Sequence, residues 1–100
     1  MRIQLVYFDG CPNVDAARET LLAVLRKHAL AVPIEEIQTT APDASAELRR
    51  WGSPTILIDG VDVGGAAAPT GAGCRLYHGA DGRLQGTPPT SLIEEALFPG

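Results

Sequence analysis

The segment Ile3 to Phe8, IQLVYF, limits the fold more than any other feature, because Leu5, Val6, Tyr7 and Phe8 are apolar at consecutive positions. A strand that is apolar on both parities needs cover on both faces, which places it inside a sheet with further layers above and below. From Pro12 onward Val14, Ala17, Leu21, Val24, Leu25 and His28 recur at helical spacing, while Asp15, Arg18, Glu19, Arg26 and Lys27 fall mostly on the opposite side. Pro12 suits a first helical turn, where its missing N–H costs nothing. The pattern therefore predicts a central strand ending near Phe8 and a long helix starting beside Cys11.

Pro33 is expected to break that helix, and Ile34 to Thr39 reads as a second strand, polar enough at Glu35, Glu36 and Gln38 to lie at a sheet edge. Thr40 with Asp43 resembles a helix start; Ala44, Leu48 and Trp51 then share a face, and Gly52 fits the position past the end. Ser53 to Ile58 forms an apolar strand, Asp59-Gly60 a favoured hairpin turn, and Val61 to Val63 the returning strand, closed by Gly64-Gly65. Ala66 to Gly73 reads as a loop. Cys74 to His78 and Arg83 to Gln85 flank a turn at Gly79 to Gly82, a second short hairpin. Ser91 with Glu94 has the form of a capping box for a last helix burying Ile93, Ala96 and Leu97. Strands alternating with helices, then a hairpin, predict an α/β sandwich with a mixed four-stranded sheet, a single domain over residues 1–100.

Only two Phe, two Tyr and one Trp occur in a chain that is 45% hydrophobic, so the core is expected to be aliphatic. No apolar run approaches the roughly 20 residues of a membrane span, and the start MRIQLVYF lacks the pattern of a signal peptide. The chain is expected to be cytoplasmic, without a membrane partner. A net charge of −4, with acidic residues scattered, argues against nucleic acid. Two cysteines in a reducing compartment suit reactive chemistry or soft-metal binding better than a permanent bridge; the plainer alternative is a pair of small buried apolar residues.

Three motifs occur in order: FDGCP after the first strand, GSPT before the third, and DGVDVGG after it. This arrangement resembles the thioredoxin superfamily, with the glutaredoxin branch nearest. The set YFDGCP, GSPTILIDGVDV, GCRLY and the Pro88-Pro89 pair before the final helix is similar to small bacterial thioredoxin-like proteins grouped by name with alkylmercury lyase. The resemblance implies a thioredoxin-like βαβαββα sandwich with residues 66–89 inserted before the last helix. It implies that Cys11 is the nucleophile, that the bond preceding Pro54 is cis beside that sulfur, and that Gly64 and Gly65 border a glutathione cleft. Val14 stands where a dithiol enzyme carries its second cysteine, so no disulfide forms within that loop.

A sulfur at a helix N-terminus is favoured as the thiolate by unpaired N–H groups and the helix dipole, while Asp9 and Asp15 oppose it. In the thioredoxin-like arrangement the inserted segment starts near Cys11. It is expected to bring Cys74, next to Arg75, within the Cα separation of roughly 4.4 to 6.8 Å that a disulfide requires. Cys74 would then resolve a mixed disulfide formed at Cys11. Alternatively the two thiolates clamp a soft ion, Hg(II) or Cu(I). A third expectation uses Cys11 alone with glutathione as co-substrate, and a fourth is a non-catalytic interaction module. No resident cofactor is expected; the partners are protein or small-molecule thiols and disulfides. Ser53, Thr55 and Asn13 are expected near the site, the first two aligning backbone. His28 and His78 lack metal-ligand spacing and receive no role. Cleavage of a carbon-mercury bond is not expected, because it needs a proton donor as well as thiolates and Asp9 is the one acid obviously beside Cys11.

Overall fold

A computed structural model of the chain describes residues 1–40, 52–64, 76–79 and 81–98. The first strand, β1 (Ile3–Tyr7), pairs in parallel with β2 (Ile34–Gln38) and antiparallel with β3 (Thr55–Ile58), which pairs antiparallel with β4 (Val61–Asp62). The sheet order β2-β1-β3-β4 makes β1 an interior strand and β2 an edge, as the hydrophobic pattern requires. A separate two-stranded sheet joins β5 (Tyr77–His78) to β6 (Leu84–Gln85), and the helices are α1 (Val14–Lys27) and α2 (Thr90–Leu97). The second predicted helix, with Ala44, Leu48 and Trp51, and the loop over residues 66–73 lie outside the described residues.

Alternation along the strands divides the interior into two sets. Ile3 and Leu5 of β1 and Ile56 and Ile58 of β3 join Ala17, Leu21, Val24 and Leu25 of α1 and Ile93 and Leu97 of α2 in one aliphatic cluster. Gln4, Val6, Thr55 and Leu57, on the opposite parity, are buried as well. Both faces of β1 and β3 are thus covered. Leu21 is completely buried at the centre of the first cluster, where truncation to Ala costs about 2–5 kcal/mol.

Local chemistry sets the ends of the elements. The helix α1 begins at Val14, with Asn13 at the N-cap, so Pro12 precedes the helix instead of opening it. Nor does Pro33 end it. The stop is a Schellman motif: Ala29 takes φ +53°, its N–H reaches Arg26 O at 3.1 Å, and the Leu30 N–H reaches Leu25 O at 2.8 Å. Leu30 then packs against the aliphatic cluster. Asp59 and Gly60 both have positive φ, +51° and +82°, the type I′ turn expected between β3 and β4. The capping box does not form. Pro89 occupies the N-cap of α2, and Glu94 reaches across to α1, where its Oε2 lies 2.7 Å from His28 Nε2 and 3.2 Å from Lys27 Nζ. The His28 ring also packs on Phe98, centroids 4.6 Å apart.

Ion pairs tie α1 to the edge strand. Arg18 donates from Nε and Nη2 to the two carboxylate oxygens of Glu36, at 3.0 and 2.6 Å, and from Nη1 to Asp15 at 2.6 Å. The Glu36 bonds first, and Asp15 after them, hold the guanidinium protonated still more firmly than usual. No described helix is long and apolar enough to cross a membrane.

Candidate functional site

The chain leaves β1 through a turn that sets the position of Cys11. Its N–H donates to Phe8 O at 3.3 Å, and Gly10, third in the turn, has φ +81°, as a type II turn requires. The preceding residues are fixed to the end of β2: the Thr39 N–H donates to Tyr7 O at 2.7 Å and the Asp9 N–H to Thr40 Oγ1 at 3.1 Å. Cys11 thus lies at the C-terminal end of an interior strand, two residues ahead of the N-cap of α1. That is one step further from the helix tip than the sequence pattern implies.

Cys11 is also more covered than its neighbours predict. Asp9, Gly10 and Pro12 are exposed, but Cys11 is 6% exposed. It does not belong to the aliphatic cluster between the sheet and the two helices.

The register brings the predicted strand-head residues to that same end. Val6 stands opposite Thr55, so Ser53 and Pro54 head β3 where β1 finishes. The Ser53-Pro54 peptide bond is cis. Thr55 Oγ1 donates to Gly52 O at 2.7 Å, a bond from side chain to backbone just ahead of β3. Ser53 Oγ, in a residue only 1% exposed, has no hydrogen-bond partner among the described residues. The Val63 N–H donates to Ile56 O, which carries the β3-β4 register onward and sets Gly64 across from Thr55. The Gly64 N–H donates to Asp62 Oδ1 at 3.0 Å. Cys11, Asn13, Ser53, Pro54, Thr55 and Gly64 therefore share one end of the molecule. Gly65, Cys74 and Arg75 lie outside the described residues.

The hairpin of β5 and β6, within the segment 66–89, is docked on this end of the sheet. Tyr77, 3% exposed, donates from Oη to Pro54 O at 2.6 Å. Just after β6, Gly86 packs so closely on Asn13 that an added Cβ would sit 2.8 Å from Asn13 Oδ1 and nearer still to Nδ2. Asn13 accordingly makes no side-chain cap bond to α1. Pro88 beyond is fully buried. Tyr77 was not singled out from sequence; a Tyr in a strand otherwise flanked by Leu76 and His78, both exposed, was the available signal.

Among the described residues no group of three His, Cys, Asp or Glu side chains could hold a metal ion. A surface depression lined by Met1, Arg2, Ile3, Pro33, Ile34 and Glu35 lies at the opposite end of β1 and offers no nucleophile. Comparison with protein-family models, with curated proteins and with solved structures found no match to this chain.

Proposed function

We propose that this chain is a thioredoxin-like thiol-disulfide oxidoreductase in which Cys11 is the nucleophile. The observation that carries the reading is the placement of Cys11 in the turn between an interior strand and the first helix, at the sheet end headed by Ser53, Pro54 and Thr55. The sheet order β2-β1-β3-β4, with β2 parallel and β3 antiparallel to β1, supports the thioredoxin-like part of the proposal. So do the motifs FDGCP, GSPT and DGVDVGG at their places along the chain.

In this reading the Cys11 thiolate attacks one sulfur of a substrate disulfide. The substrate S–S bond breaks, a Cys11-substrate disulfide forms, and the departing thiolate takes a proton from solvent. A second thiol, Cys74 or a small thiol such as glutathione, then attacks the Cys11 sulfur and releases the other substrate thiol. The substrate gains two electrons, and the attacking thiol and Cys11 end as a disulfide that further small thiol reduces. Ser53 Oγ, buried and without a hydrogen-bond partner among the described residues, is a donor available to a group arriving at this end; an unmet buried hydroxyl costs about 1–3 kcal/mol, which a bound acceptor offsets.

The test is reduction of a small mixed disulfide in the presence of glutathione, comparing the wild-type protein with Cys11→Ser and Cys74→Ser. Loss of exchange in Cys11→Ser is expected, with slower resolution in Cys74→Ser. Full exchange by Cys11→Ser would rule the proposal out.

A further inference from the structure

The hairpin over the Cys11 end has an unusual combination of properties. It is a separate sheet with two residues per strand, and an isolated two-stranded hairpin has marginal stability of its own. Its outer face is left to solvent, with Leu76 and Leu84 exposed beside His78. Its inner side meets the site at two described places, Tyr77 Oη on Pro54 O and Gly86 on Asn13. Both places are at the sheet end that carries Cys11, since Asn13 lies two residues after it and Pro54 heads the strand paired with β1. At the same end of the sheet are the Cys11 thiol, in a residue 6% exposed, and the Ser53 hydroxyl, which has no partner among the described residues.

We infer that the β5-β6 hairpin is a hinged cover for Cys11, and that Tyr77 is its latch. Segments attached by few contacts open at lower free energy than the whole fold unfolds. Opening separates Tyr77 from the Pro54 carbonyl, uncovers the Cys11 sulfur and leaves the backbone around Pro54 and the Ser53 hydroxyl free to bind. The central sheet and the α1-α2 cluster stay folded throughout. The inference goes beyond the oxidoreductase reading, because access to a sulfur is measurable whether or not the protein turns over a disulfide.

The experiment is alkylation of Cys11 by iodoacetamide in the native protein, read by peptide mass spectrometry so that Cys74 is scored separately. Tyr77→Phe keeps the ring and removes the latch bond. It is expected to speed labelling of Cys11 about fivefold to tenfold, the change in opening equilibrium set by one ordinary hydrogen bond. Gly86→Ala, which drives a methyl group against Asn13, is expected to act in the same direction. The control is Gly60→Ala in the far β3-β4 turn, which weakens the whole fold without touching the hairpin. Labelling unchanged in the control and raised in both hairpin variants supports a hinged cover. Equal acceleration in all three means that Cys11 is reached only by global unfolding, and no acceleration in Tyr77→Phe means that the hairpin is not what covers it; either result overturns the inference.

Discussion

Two glycines make a matched pair for testing how the backbone holds the site. Gly10 has φ +81° and Gly60 has φ +82°, and a Cβ built on either meets nothing within 4 Å. Alanine at each position therefore encounters no clash, and its whole cost is conformational. Holding an L-residue in the left-handed region costs about 1–2 kcal/mol. Against this, alanine narrows the unfolded chain relative to glycine by about 0.4–1 kcal/mol. The net loss is about 1 kcal/mol in each variant, or about 4–8 °C in Tm for a domain of this size. Urea unfolding should show the midpoint falling at constant slope. The sites lie at opposite ends of β1, beyond the range at which substitutions usually couple, so the double variant should lose about 2 kcal/mol. Equal stability effects should nevertheless have unequal chemical consequences. Gly10→Ala strains the turn that carries the Cys11 N–H to Phe8 O and should alter the rate of Cys11 alkylation, whereas Gly60→Ala should not. If Gly60→Ala were neutral or stabilising, the backbone reasoning would fail. Equal labelling shifts in both would break the link between the Gly10 turn and the sulfur.

Ala29→Gly should act in the opposite sense. It relieves a residue held at φ +53° in the Schellman motif, and a gain of about 0.5–1 kcal/mol is expected in thermal or urea unfolding, with a loss of stability as the contrary result. The clasp between the helices should make stability depend on acid. The His28 bond first, and Lys27 after it, hold the Glu94 carboxyl below the usual carboxylate range. A carboxyl with a folded-state value below its unfolded value contributes stability that is present above the unfolded value and lost as pH falls through the folded one. Glu94→Gln should therefore be less stable than wild type at neutral pH and lose less on acidification, and parallel stability-pH curves would contradict the clasp.

Periodicity made the framework legible before any coordinates. Consecutive apolar residues in β1 and the spacing of Ala17, Leu21, Val24 and Leu25 follow from burial alone, and Asp59-Gly60 is a local backbone requirement. The helix ends were harder to read. A Schellman stop usually announces itself by glycine, and here alanine occupies the left-handed position, so the more visible Pro33 drew the boundary too late. Ser91 and Glu94 have capping-box spacing, yet Glu94 finds a better partner in His28, 66 residues away in sequence, which local pattern cannot foresee. Cys11 is flanked by Asp9, Gly10 and Pro12. They are exposed, but the thiol is not, and burial set by contacts distant in sequence cannot be read from a residue's immediate neighbours. The hairpin itself was visible in its Gly-rich turn; the Tyr77 bond to Pro54, which ties it to the site, was not.

The most direct test of the nucleophile assignment is covalent trapping. Cys74→Ser, folded and reduced, is incubated with oxidised glutathione, and the adduct is located by peptide mass spectrometry. A thiol-disulfide oxidoreductase acting through Cys11 should accumulate a glutathione mixed disulfide at that residue, released by added thiol. If Cys11 stays unmodified in the folded protein but takes up glutathione once the chain is unfolded in urea, it is a packing residue and the proposed chemistry is wrong.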